Sequence, residues 1–322
     1  MQTSSQIQID QTQLGALENG CGMVFWNRAT IVRHSGPDAL DLLHRLTTKE
    51  LLSVTEGRSR RTVLTSARGR VVDVFLVAHV SDDRLLLISD SDNSERMISA
   101  IDRYTIIEDA ELTDLSDSNV RISLIGPRAV QVVESVLGEV VGNDATITAE
   151  FNGESSTIVS DTSRGVEWLD AICPVSVARD LAAAFESAGA VAVEPDNFEL
   201  FRITRLIPGS DREYGEHANP IESGLFDLID FDKGCYVGQE IIARLDTYDK
   251  VKRNLKVLES DGPLEAGNAL QLPAESKSAG MITSASPLKT EDGMFLSLGL
   301  VRKAFLEAGT VLDSGGIAVR VR

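Results

Sequence analysis

The side chains best able to do chemistry in this 322-residue chain gather in one stretch, FDKGCYVGQEIIAR, from Phe231 to Arg244. Cys235 stands there between Gly234 and Tyr236, with Lys233, Gln239, Glu240 and Arg244 close in sequence. A thiolate is a nucleophile and a soft metal ligand, but a free cysteine has a pKa of about 8.5 and needs a cation beside it to ionise at neutral pH. Lys233 and Arg244 are the candidate cations; Asp230, Asp232 and Glu240 oppose them. Gly234 and Gly238 allow a sharp turn and a close backbone approach to a ligand. Two readings of Cys235 stay open: a functional group on an exposed turn, or a small half-buried packing residue. With no second cysteine or histidine nearby, this loop alone lacks the ligands for a stable iron–sulfur cluster.

The other candidates carry the same ambiguity. Tyr236 is either a wall for a flat ring or a core aromatic. Gln239 and Glu240 either fix the Gly-Cys-Tyr loop by hydrogen bonds or simply favour a helix N-terminal turn through its dipole. Asn219 and Glu222, in NPIESGL, either pair with the donor and acceptor edge of a ligand or decorate a loop. Arg68 and Arg70 lie on a hairpin turn, and Glu216–His217 reads as an exposed polar pair.

Composition narrows the classes. The formal charge is −18 with a pI near 4.7, so a broad phosphate-binding face is disfavoured and no direct nucleic-acid contact is expected. Arginine (23) outnumbers lysine (8), which suits forked hydrogen bonds. Cys21, Cys173 and Cys235 form no CxxC pair, and the four histidines have no metal-ligand spacing, so a disulfide framework and a structural zinc site are not expected. The start, MQTSSQIQIDQTQLG, lacks the basic and apolar parts of a signal peptide, and no run of eighteen apolar residues suggests a membrane span. A cytoplasmic, monomeric protein is the expectation.

These side chains need a scaffold. Residues 1–20 read as a flexible N-terminal tail, 21–249 as an α+β region in two subdomains, and 250–322 as a small C-terminal β-barrel, because short β-like runs broken by Gly, Pro and Ser take over there. Pro37 opens a helix carrying Leu40, Leu43 and Leu46. TVLTS, RVVDVFLVAHV and RLLLIS read as successive hairpin strands around SARGR and SDDR. Further helices are expected near 93–104, from Gly126-Pro127 to Gly138, over 177–188 and over 196–206. The absence of G-x-G-x-x-G and of a P-loop lysine motif removes the usual support for nucleotide cofactors.

The core K-G-C-Y-x-G-Q-E of the thiol stretch resembles the signature of the YgfZ-type folate-binding proteins, relatives of the aminomethyltransferase (T-protein) of glycine cleavage. RHSGPDALDLLHRLTT, LTSARGRVVDVFLV, VRISLIGPRAV, NPIESGL and GMITSASP resemble further segments of the same superfamily, in the same order. The resemblance implies a ring-like α+β fold with a C-terminal β-barrel around a channel that binds tetrahydrofolate. It implies a role in making or repairing iron–sulfur clusters in client enzymes, among them enzymes that thiolate tRNA. It also implies that Lys233 draws in the glutamate tail of the folate, and that Gly234, Tyr236, Gly238, Gln239, Glu240, Arg244, Asn219 and Glu222 border the cofactor.

Two departures discriminate within the superfamily. T-proteins carry an Asp-Asp pair in the hairpin whose second acid acts on folate chemistry; here the pair reads Asp73-Val74. Their R-L-E-A-G reads Arg202-Ile203-Thr204-Arg205-Leu206, which loses a charged contact. Aminomethyl transfer is therefore disfavoured. The alternative is a one-carbon transferase or demethylase with Asp73 and Cys235 as catalytic groups.

Overall fold

The computed structural model describes residues 9–81, 83–273 and 277–322, so the first eight residues of the expected N-terminal tail lie outside the described residues. Within the described part that segment is not loose. Gln11–Asn19 is a helix, capped by the Asp10 carboxylate accepting from the N–H groups of Thr12 and Gln13. Its Leu17 is buried with Ile125, Trp168 and Phe201. The Gln- and Ser-rich composition hid two apolar anchors, Leu14 and Leu17, one helical turn apart.

Two sheets and a barrel make the scaffold. The first sheet runs Val191–Ala192, Gly22–Trp26, Asn119–Ile125, Trp168–Pro174, Glu154–Ser160, Thr146–Phe151 in spatial order. The second runs Ser59–Thr65, Val71–Ser81, Arg84–Ser89, Thr30–Ser35, Glu111–Asp114. Each has a strand that passes through a Gly-Pro pair into a helix. Gly36 and Gly126 both take positive φ, 117° and 115°, and a Cβ on either would strike backbone oxygen, Asp109 O at 2.2 Å or Gly20 O at 2.7 Å. The helices that follow, Ala39–Leu46 and Ala129–Leu137, lay Leu42, Leu43 and Leu46, or Val132 and Val133, on their own sheets. The two turns are one device used twice.

The sheets pack on each other through Ile31, Leu76, Leu86 and Ile88 of the second against Val159 and Ile172 of the first. At the edge of that apolar contact lies a chain of buried charges. Arg121 donates from Nε to Asp170 (2.9 Å) and from Nη1 to Asp90 (2.7 Å). Arg164 donates to the same Asp90 oxygen (2.8 Å) and to Asp161 (3.0 Å), which also accepts from Arg61 Nε (2.8 Å). Arg61 and Asp90 belong to the second sheet and its exit, the other four to the first.

Residues Arg253–Val321 close into a six-stranded barrel. Leu200 and Ile203 of the helix Pro195–Thr204 pack against its Leu288, Leu296, Leu298 and Leu300. Arg202, on the same helix, donates to Glu213 (2.8 Å) and to Ser284 of the barrel (2.6 Å), and Ser284 donates to Glu213 in turn. The expected ring-like α+β architecture with a C-terminal barrel is the one observed.

Arg121 is fully buried between two carboxylates, so an uncharged replacement leaves Asp170 and Asp90 short of a partner in low dielectric. Arg121→Met is expected to lower unfolding free energy by about 3–5 kcal/mol, read from urea unfolding at neutral pH.

Candidate functional site

The thiol stretch folds as a loop, 231–238, followed by the helix Gln239–Thr247. Nearly every residue in it has a structural partner. Lys233 is buried, and its Nζ donates to three main-chain carbonyls, those of His44 (2.5 Å), Thr47 (2.7 Å) and Lys49 (2.8 Å). It thereby caps the C-terminal end of Ala39–Leu46, where carbonyls lack partners and a positive charge is favoured. Burial draws its pKa down to about 8, against the opposing pull of Glu50 and Asp230. All three N–H bonds are committed, so the ammonium is not available to a folate glutamate.

Tyr236 is buried among Ile221, Ile229 and Ile242, 5.3 Å beneath the Lys233 ammonium. Gly238 has φ 86° and lies so close to the hairpin turn that a Cβ would stand 2.5 Å from Ser66 O. Thr65 Oγ1 donates to Val237 O (2.5 Å), fixing the same junction. Gln239 and Glu240 form the first helical turn, and Glu240 pairs with Arg244 (3.0 Å) in the solvent. Gly234 lies beside the His44 imidazole, whose Nδ1 accepts from Leu51 N–H. Cys235 is exposed. The other two thiols are buried, and burial pushes Cys21 up to about 12 and Cys173 up to about 11.

Asn219 and Glu222 are also spent on structure. Asn219 Oδ1 accepts from the N–H groups of Ile221 and Glu222. The Glu222 carboxylate pairs with Arg253 of the barrel (3.1 Å) and faces Arg70 (3.6 Å). None of these residues lines the cavities described next.

A cavity of about 820 Å³ lies beside the buried charge chain and is of ligand-binding size. Its aromatic wall is Trp26 and Phe198, edge to face at 5.7 Å. Asp90 and Arg164 form its charged floor, and the Arg202–Glu199 pair stands at another side. An inner pocket of about 110 Å³ shares Asp90, Arg164, Ile207 and Pro208 with it. This inner pocket is lined by Arg61, Tyr214 and Val74, and both Arg61 Nη2 and Tyr214 Oη are buried donors without a hydrogen-bond partner. Buried donors are seldom left unpaired, so two on one pocket wall mark a place for a ligand's acceptors.

Asp73 faces elsewhere. Side chains alternate along a strand, so Val74 turns to the pocket and Asp73 shares the opposite face with Phe75 and Val77, under the helices. Its Oδ1 accepts from Val74 N–H and Ser89 O–H, both at 2.7 Å, while Oδ2 has no partner. Desolvation raises its pKa to about 7, partly countered by those two hydrogen bonds.

The structure thus gathers the sequence-derived residues into a brace for an exposed thiol, and assembles the cavity from others. Trp26, Arg61, Asp90, Arg164, Phe198 and Tyr214 were not singled out, because they come from six separate segments with no shared motif. The abundance of arginine was the one available signal, since forked donors suit shared, buried carboxylates. Among the described residues no cluster of metal-ligating side chains occurs, and no helix is long and apolar enough to cross a membrane.

Comparison with known proteins agrees with this architecture. The GCVT N-terminal domain family matches residues 7–158. A chloroplastic protein of Arabidopsis thaliana that carries a provisional transferase name is 28% identical over 310 residues, covering 95% of this chain and 71% of its own. An aminomethyltransferase of Thermotoga sp. is 26% identical over 285 residues, covering 84% and 75% respectively. The crystal structure of the glycine cleavage system aminomethyltransferase T from Bartonella henselae superposes with a TM-score of 0.81 at 18% identity, over 97% of this chain and 87% of that one, which establishes the shared fold.

The raised pKa of Asp73 has a thermodynamic consequence with a defined sign. The native state holds this proton more tightly than the unfolded chain, so the group costs stability increasingly as pH rises from about 4 to about 7, and fully above that. Asn can accept the same two hydrogen bonds and carries no charge. Asp73→Asn is expected to gain about 2–3 kcal/mol relative to wild type between pH 5 and pH 7, at about 1.4 kcal/mol per pH unit. Paired urea titrations at the two pH values check it; a pH-independent difference refutes it.

Proposed function

We propose, from the match of residues 7–158 to the GCVT N-terminal domain family and the fold shared with an aminomethyltransferase, that the chain is a member of the aminomethyltransferase (GCVT) superfamily, binds a reduced folate in the cavity of about 820 Å³ and serves the assembly or repair of iron–sulfur clusters in client enzymes. The residues present fit such a ligand. A pterin is a flat ring with a carbonyl and ring nitrogens as acceptors, and the aromatic wall and the two unpartnered donors offer stacking and hydrogen bonds of that kind. Tyr214 and Arg61 would hold the acceptor edge, and Trp26 and Phe198 would cover the ring. When bound, the folate would supply one-carbon chemistry.

The observation that carries the reading is the inner pocket wall, where two donors stand beside an uncharged Val74. Such a wall can bind acceptors but has no carboxyl at position 74 to move a proton. That supports binding without aminomethyl transfer. Cys235, exposed on a loop anchored by Lys233, Tyr236 and Gly238, is suited to touch a partner's cluster transiently, and enzymes that thiolate tRNA are the clients we infer. A second reading, one-carbon transfer to tetrahydrofolate, draws support from the names of the relatives. Its acid would have to be Asp73, whose carboxyl lies on the far face of the strand.

Calorimetric titration with 5-formyltetrahydrofolate tests the binding step. Wild type is expected to bind saturably, and Tyr214→Phe to bind about 5- to 10-fold more weakly, the worth of one hydrogen bond. Cys235→Ser should keep wild-type affinity yet fail to restore iron–sulfur enzyme activities when it replaces the native gene. No binding by wild type at millimolar ligand would sink the folate reading, and full restoration by the serine variant would sink the role of the thiol.

A further inference from the structure

A second cavity, about 680 Å³ and open to solvent, lies on the outer side of the hairpin turn. Its lining is unusual for a chain of charge −18: Arg68, Arg70, Arg96 and Arg103 face it, with Glu216 as the one carboxylate. The sequence folds it that way for local reasons. The turn Ser66–Arg70 is closed by Gly69 N–H to Ser66 O (2.8 Å) and presents two arginines. Opposite it, Arg96 and Arg103 are seven residues apart at the two ends of the helix Ser94–Asp102, on one face and about 10 Å apart along its axis. Ser99 and Ala100 between them are small, so the floor of the groove stays open. Arg96 is tied to Asp211 and Arg70 faces Glu222, whereas no ion pair among the described residues includes Arg68 or Arg103.

The chain leaves the groove at Tyr104 and reaches an exposed apolar tip two residues on. Tyr104 is 37% exposed, and Ile106 and Ile107 are 82% and 92% exposed. These isoleucines do not sit on a loose loop: the Glu108 carboxylate accepts from both of their N–H groups (2.9 and 3.1 Å), and Arg45 holds that carboxylate from the other side (3.1 Å). Those hydrogen bonds and Arg45 keep Glu108 at a pKa of about 2, so the brace persists at any physiological pH. The carbonyl of the same Arg45 accepts from Val237 N–H, two residues from Cys235. A small anion would gain nothing from rigid exposed isoleucines. Arginine, tyrosine and pre-ordered apolar side chains together are the composition of a protein-binding hot spot.

We propose that this surface docks an acidic, apolar-containing segment of a protein partner, its carboxylates on Arg68 and Arg103 and its apolar side chains on Ile106 and Ile107. The inference deepens the reading above, because it gives the chemistry by which a client would be held beside Cys235. On a molecule of net charge −18 the groove also favours one orientation of an acidic segment.

Fluorescence anisotropy with a labelled eight-residue peptide alternating glutamate and leucine tests it. Saturable binding is expected, weakening several-fold between about 50 and 200 mM salt. The double variant Arg68→Gln/Arg103→Gln should bind at least 10-fold more weakly, and Ile106→Ser/Ile107→Ser about 5-fold more weakly, each with the unfolding temperature of wild type. A peptide with lysine in place of glutamate should not bind. Absence of saturation at about 1 mM, or equal affinity in the variants, would overturn the proposal. The folate titration is read separately: peptide binding without folate binding sinks the earlier reading and leaves this surface standing, and the reverse result does the opposite.

Discussion

The shared carboxylate of Asp90 is the constraint on which the rest of the molecule turns. One of its oxygens accepts from Arg121 of the first sheet and from Arg164, which leads on to Asp161 and Arg61 of the second. Removing water from three guanidinium and three carboxylate groups costs far more than any one pair returns, so the arrangement survives only while every member keeps its partners. The sheets therefore cannot slide or separate by small steps. Two of the guanidinium groups are also sandwiched on rings, Arg121 4.7 Å from Trp26 and Arg164 4.1 Å from Trp168, which lysine could not reproduce. Because Asp90, Arg164 and Trp26 are at once network members and cavity walls, the cavity inherits the rigidity of the interface.

A second fixed point explains the thiol loop. Lys233 satisfies three carbonyls that the helix Ala39–Leu46 and its exit leave open, Tyr236 fills an apolar niche, and Gly238 admits the hairpin turn. Each of these residues is accounted for by packing or capping. Cys235 is not: it is exposed, and neither burial nor a hydrogen bond explains it. A rigid loop with a single exposed thiol is a different object from a ligand wall, although the two look alike as a string of letters.

That difference marks how far the sequence could be read. Hairpin strands, Gly-Pro-helix turns and the change to a barrel after residue 250 were legible because they depend on local rules: alternation, helix starts and stops, and turn residues. The helix Gln11–Asn19 escaped because only Leu14 and Leu17 mark its apolar side. Clustering of reactive side chains along the chain pointed to the thiol loop, and local clustering is poor evidence for a cavity assembled across sheets. Arg61 and Tyr214 lie 153 positions apart and meet only through the second sheet and the loop before Asn219. What brings them together is tertiary, and no spacing rule contains it.

The pair Asp73-Val74 shows how much rests on parity. A slip of one position along a strand exchanges its two faces, so sequence alone leaves open which of the two meets a ligand. The strand gives Val74 to the pocket with Val63, Leu225, Leu228 and Tyr214, and Asp73 to the helices. A carboxyl at position 74 would lie among those apolar neighbours, on the same pocket wall as Arg61 and Tyr214. With valine there, the two donors have no protein acceptor and are free for a ligand's oxygen or ring nitrogen. An acid at position 74 would give this wall a proton-transfer group; with valine there, the wall carries donors and apolar surface alone.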